Sequence, residues 1–124
     1  MSEAFTETER ETIKVVDNQM DAYNARDIDA FAATYHDDVE IHSYSTGLQY
    51  RGKDILIKEY GKFFNSLKYL KATSLKRIVH GQFLVDHEFA ESSSETEGVI
   101  DRSMKAIAVY EVVDGLIKRV TFIG

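Results

Sequence analysis

Residues 23–44, YNARDIDAFAATYHDDVEIHSY, constrain the fold most, because the hydrophobic period changes within them. Asp27 is placed to cap a helix, its carboxylate accepting from the unpaired N–H groups of the following turn. Ile28, Phe31 and Tyr35 then recur at helical spacing, which predicts a short helix over residues 28–35. Asp37 and Asp38 stop it. Val39, Ile41 and Ser43 alternate from there with Glu40, His42 and Tyr44, the period of a strand.

The same reading extends in both directions. Upstream, Ile13, Val16, Met20 and Tyr23 share one face of a helix over residues 6–25, capped by Thr6 or Thr8 with acids in its first turn. Downstream, residues 45–47 are turn material and residues 48–50 a short strand. A third helix over 53–67 buries Ile55 or Leu56, Tyr60, Phe63, Phe64 and Leu67. Gly61 lies inside it at a cost of about 1 kcal/mol against alanine, which predicts close packing against another backbone. Four strands follow, over 69–80, 82–91, 99–113 and 116–123. They are separated by His80-Gly81, the polar run SSSETEG at 92–98, and Asp114-Gly115, a hairpin signal. Helices followed by a meander of long strands predict an α+β domain over residues 1–124, three helices covering one face of a curved, mostly antiparallel sheet. Such a sheet forms a cone whose mouth is a natural ligand pocket.

Composition narrows the function. A net charge of −6 argues against nucleic acid and anionic membranes as partners. No apolar run reaches the roughly 20 residues that span a bilayer. The polar, acidic N-terminus reads against a signal peptide. With no cysteine there is no disulfide, thiolate ligand or cysteine nucleophile. A cytoplasmic location is the expectation these features fit.

The segments YNARDIDAFAATYHDDVEIHSY, RGKDILIKEYGKFF and VYEVVDGLIKRVTFI together resemble the SnoaL-like branch of the NTF2-like (cystatin-like) superfamily, which includes ketosteroid isomerases, polyketide cyclases and scytalone dehydratase. The resemblance implies the cone fold, an apolar ligand inside it, and a homodimer formed through the outer sheet face. It also implies where chemistry is missing. The aspartate base of the ketosteroid isomerases falls on Ser43, and their oxyanion-binding groups fall on Gln19 and Ala108, so classical ketosteroid isomerisation is not expected. Tyr60 matches the tyrosine that supports the oxyanion group. The Arg-x-Asp of limonene epoxide hydrolases is not reproduced, since Asp101 precedes Arg102.

Alternation supplies the remaining candidates. Phe83, Val85, His87 and Phe89 share one face of their strand, opposite Leu84, Asp86, Glu88 and Ala90. The first face is the more apolar and is expected to line the cone, which would put His87 inside and leave Asp86 and Glu88 outside. A histidine in an apolar cavity suits acid–base work near neutral pH. It equally suits a core group bonded to a tyrosine or a carbonyl. Tyr23, Tyr35 and Tyr60 lie on inward helical stripes, Gln19 and Ser43 at the pocket wall, and Met104, Ala106 and Ala108 on the cavity face of their strand. Ile107 and Val109 then point outward, where a homodimer interface would cover them. His42 with Glu40, His36 and Asp38 lacks a helical HxxxH pair and a third ligand, so no metal is expected, and no cofactor. The leading expectation is a protein that binds a small hydrophobic, polycyclic or carbonyl-bearing molecule. Any catalysis would be cofactor-free proton transfer (isomerisation, cyclisation or dehydration) by His87. A non-catalytic ligand-binding or dimerisation module is the alternative.

Overall fold

The first helix forms as α1, Glu7–Ala25, in the computed structural model, which describes residues 4–94, 100 and 102–124. Thr6 starts it with a reciprocal cap: Glu9 N donates to Thr6 Oγ1 at 3.1 Å, and Thr6 N donates to Glu9 Oε1 at 3.0 Å. Arg26, in the left-handed conformation at φ 53°, ends it. The buried stripe runs through Thr12, Val15, Val16, Gln19 and Ala22. It is rotated slightly from the expected Ile13–Met20 line and carries two polar side chains inward.

Asp27 caps α2, Ile28–Ala32, by accepting from Ala30 N at 3.1 Å. This helix is shorter than the expected 28–35. Thr34 turns back to the Phe31 carbonyl through both its N–H and its hydroxyl, and its own carbonyl accepts from Ile117 N at 2.9 Å. The chain is therefore already in a sheet at Tyr35, and β1 spans Tyr35–Ser43. Tyr35 is buried in either conformation, so periodicity does not reveal the change.

The remaining elements are β2 (Gly47–Arg51), α3 (Lys53–Asn65), β3 (Tyr69–His80), β4 (Phe83–Ser93), β5 (Arg102–Val113) and β6 (Leu116–Ile123). Of the expected loop at 92–98, Ser92 and Ser93 belong to β4, and residues 95–98 lie outside the described residues, as do residue 99 and Asp101. Among the described residues the strands form one sheet in the order β2-β1-β6-β5-β4-β3. Only the β1–β6 pair is parallel. The Asp114-Gly115 turn has positive φ at both residues (52° and 77°), as a tight type I′ hairpin requires. The helices cover one face of the sheet, and Val16, Phe31, Val39, Leu56, Leu84, Ile117 and Val120 between them are fully buried.

Polar clamps hold α1 against the sheet at three levels. Near its start, Gly81 N donates to Glu9 Oε2 and Thr12 Oγ1 donates to Gly81 O, both at 3.0 Å. Mid-helix, Arg77 of β3 is paired with Asp17. Near its end, Asn24 bonds both backbone groups of Ala72, donating to its O at 3.0 Å and accepting from its N at 2.6 Å. Strand β3 is an edge strand, and this amide imitates the neighbour it lacks.

The close packing expected at Gly61 is absent. A Cβ added there would meet no atom within 4 Å. Its backbone is helical, so glycine at this site costs helix propensity without a steric return. Gly61→Ala is expected to stabilise the protein by about 0.5–1 kcal/mol in urea unfolding. A loss of stability would show that the helix needs flexibility there.

Candidate functional site

Beneath α1 and α3, the inner faces of β3–β6 enclose a cavity of about 100 Å³. Met20, Ala72, Ala90, Met104, Ala106 and Phe122 make its apolar wall, and Gln19, Tyr23, Tyr60, Glu88 and Tyr110 supply the polar groups. Small residues on the inner faces of the strands leave the space open. A group of rings (Tyr23, Phe31, Tyr60 and Phe64), with centroids 4.7–6.4 Å apart, packs alongside Tyr23 and Tyr60. Met104 is 55% exposed and marks the mouth.

Of the residues expected at the site, Gln19, Tyr23, Tyr60 and Met104 line this cavity. Four do not. His87 is exposed on the outer face of the sheet, opposite Lys76 of β3 and Ile107 of β5. Phe83, at 43% exposure, sits on that outer face too. Ser43 ends β1 with its hydroxyl 3.2 Å from that of Ser45. Tyr35 is buried behind the wall, its hydroxyl accepting from Gln19 Nε2 at 3.1 Å. Ala108 is a fully buried core residue.

The inner face of β4 is the reverse of the expected one, and it carries Leu84, Asp86, Glu88 and Ala90. Strand pairing decides this. Residues directly opposite on antiparallel strands point to the same side. Asp86 lies opposite Ala108 and Glu88 opposite Ala106, both on the inner side of β5, while His87 lies opposite outward Ile107. The more apolar face of β4 is therefore the outer one. Glu88 is the polar cavity group that reading its strand alone misses, whereas Tyr110 follows from the alternation that places Ala106 and Ala108 inward.

The electrostatics of the cavity centre on Glu88. Tyr110 Oη donates to Glu88 Oε2 at 2.8 Å. Burial, then the neighbouring Asp86, push the Glu88 carboxyl up to about 7 against the pull of the Tyr110 bond. Burial also pushes the Tyr23 phenol up to about 12 and that of Tyr60 higher still, so both remain neutral donors. Neither of these two hydroxyls has a hydrogen-bond partner among the described residues. Gln19 is 7% exposed, and its Oε1 is a buried acceptor without a partner. The site thus offers a proton carrier titrating near neutrality, two free phenol donors and an amide, on an otherwise apolar wall.

His42, by contrast, is paired to Glu40 at 2.8 Å, and Glu40 also takes Arg51. Among the described residues no three His, Asp or Glu side chains converge as a metal site would require. No helix among them is long and apolar enough to cross a membrane.

The model of the SnoaL-like domain matches residues 16–120. The chain belongs to the SnoaL-like domain family. Its fold is the NTF2-like, cystatin-like cone. An uncharacterised cystatin-fold protein from Novosphingobium aromaticivorans superposes with a TM-score of 0.80 at 19% identity, over 91% of this chain and 97% of that one. A candidate SnoaL-like polyketide cyclase from Jannaschia sp. CCS1 gives 0.77 at 14% identity, over 98% and 90%. A candidate ketosteroid isomerase from Kribbella flavida gives 0.71 at 23% identity, over 93% and 78%. No match was found among curated protein sequences. Within this SnoaL-like cone the cavity carboxyl stands on β4.

The raised Glu88 carboxyl has a stability signature. Its folded form holds a proton between pH 4.5, the ordinary value, and about 7, where the unfolded chain has released it. Stability from this group is complete at low pH and is lost as pH rises through that window, by about 3 kcal/mol at most. Glu88→Gln removes the titration. Its stability relative to wild type is expected to rise between pH 5 and pH 8 in paired urea unfolding curves. A constant difference would place Glu88 in a wetter setting than its burial implies.

Proposed function

We propose that the protein binds a small carbonyl compound in the cone and moves a proton on it without a cofactor, with Glu88 as acid and base. The observation that carries this reading is the half-buried Glu88 carboxyl on an apolar cavity wall that also presents the unpartnered phenols of Tyr23 and Tyr60. Glu88 as carboxylate takes a proton from the carbon beside the carbonyl, and the C–H electron pair moves into the carbon–carbon bond. The carbonyl oxygen gains the charge, and phenol donors at that oxygen stabilise it. Where a C=C adjoins that carbon the enolate extends over it, and return of the proton from Glu88 to the far carbon shifts the double bond and completes an isomerisation with no net redox change. A carboxyl titrating near the working pH is matched to both halves of this cycle.

The cavity volume of about 100 Å³ lies below the roughly 300 Å³ at which drug-sized ligand sites begin. That favours a single-ring or shorter substrate over a polycyclic one. The cyclase and isomerase descriptions of the fold neighbours are compatible with proton transfer of this class. On the opposite side of the sheet, Ile78 and Phe83 are exposed on the same face as His87. We assign that face to a second copy of the chain, as the family resemblance implies. Sedimentation showing only monomer at high micromolar concentration would remove that assignment.

The test of the activity is hydrogen exchange into small cyclic ketones in heavy water, followed by NMR. Wild type is expected to accelerate exchange on at least one member of the panel. Glu88→Gln should cut that rate by roughly 10²- to 10⁴-fold and Tyr60→Phe by a smaller factor, while His87→Ala leaves it unchanged. Exchange that survives Glu88→Gln would refute the assignment.

A further inference from the structure

Two acids share the inner face of β4, and their surroundings are unequal. Asp86 is 0% exposed. Ser74 Oγ donates to its Oδ1 at 2.5 Å and Arg77 Nε to its Oδ2 at 3.3 Å. Arg77 is itself shared, since its other arm pairs with Asp17 on α1, whose side chain is half exposed. Glu88, two residues further along the strand and on the same inner face, receives Tyr110.

The other groups facing Glu88 are the phenols of Tyr23 from α1, Tyr35 from β1, Tyr60 from α3 and Tyr110 from β5, each held neutral by burial. One guanidinium, divided with a surface aspartate, therefore serves a buried carboxyl and a half-buried one. Two adjacent negative charges in a poorly solvated wall repel, so one member keeps a proton. Donors decide which. Both Asp86 oxygens accept from β3, whereas Glu88 receives the Tyr110 hydroxyl alone among the described residues, so the proton stays on Glu88.

We propose that Asp86 is a positioning residue for the cavity carboxyl: it holds the Glu88 proton and, through Arg77 and Asp17, sets the pH at which that proton leaves. Asp86 does not line the cavity, and its action on a ligand is exerted through Glu88. The pair makes the resting protein a general acid near neutrality, so a reaction begun by protonation (dehydration or ring closure onto a carbonyl) is available from the resting state. This rests on the reading of Glu88 as the proton carrier.

Carboxyl titration by NMR on the ¹³C-labelled protein tests it, with Glu88→Gln assigning the signal. Wild-type Glu88 is expected to titrate near 7. Asp86→Asn removes the neighbouring charge and should lower that midpoint by about one pH unit or more. Asp17→Asn frees Arg77 for the pair and should lower it by less, with the Glu9 and Asn24 clamps still holding α1.

A wild-type midpoint in the ordinary range of about 4.3 would sink the proton-carrier reading itself. A raised midpoint that does not move in Asp86→Asn would overturn this inference alone. Should Asp86→Asn fail to fold, an unmoved midpoint in Asp17→Asn overturns it instead.

Discussion

The height of α1 above the sheet is fixed by polar clamps rather than by apolar contact, and the cavity depends on this. Apolar burial is non-directional and would draw the helix down until the space beneath it closed. Glu9, Asp17 and Asn24 lie about two turns apart along one flank, and each engages a different point on β3 or the turn after it. Two of the clamps end on backbone groups of Gly81 and Ala72 that would otherwise lack partners at a sheet edge, where an unmade hydrogen bond is costly. Sliding the helix inward would break these bonds before it gained much contact.

With α1 held, the rings gathered from α1, α2 and α3 have a defined gap to pack beside. Helix α2 has only five residues, too few to be stable alone, and the contacts of Phe31 with Tyr23, Tyr35, Tyr60 and Phe64 bind it into the layer. These aromatic pairs contribute roughly 0.5–1.5 kcal/mol each beyond the area they bury. They also place Tyr23 and Tyr60 where their hydroxyls meet the cavity. The same packing that supports the shortest helix thus supplies the two donors opposite β4.

Much of this arrangement is legible in the chain. A threonine cap at the start of α1, the Asp27 cap and the Asp114-Gly115 turn each follow from local chemistry, and the strand alternation carries the long strands but not their order in the sheet. The face of β4 is different. Judged alone, Phe83, Val85, His87 and Phe89 are the more apolar set, and an isolated strand should bury them. The strand is not isolated. Its register against β5 forces Asp86 to the side of Ala108 and His87 to the side of Ile107, and Ala108 is the better core residue. Two strands judged separately give incompatible answers, and only pairing resolves them. Tyr35 and Gly61 misled for related reasons: burial does not distinguish a helix end from a strand start, and a glycine does not announce what lies beside it.

The placement of the acid also bears on how such cones diverge. The family resemblance sets the isomerase base at Ser43 and an oxyanion-binding aspartate at Ala108, and this chain carries neither group. Ala108 is the residue directly opposite Asp86 on the neighbouring strand. A carboxyl at both positions would crowd like charges on one inner face, each needing a donor set of its own. With alanine at 108, the face has room and hydrogen-bonding capacity for the Asp86–Glu88 pair, and Ser74 and Arg77 on β3 supply its donors. A carboxyl on β4 and one on β5 reach the same small space, because neighbouring strands lie only about 5 Å apart. On the proposed reading of Glu88, the cone constrains where a proton can be delivered more tightly than which strand delivers it.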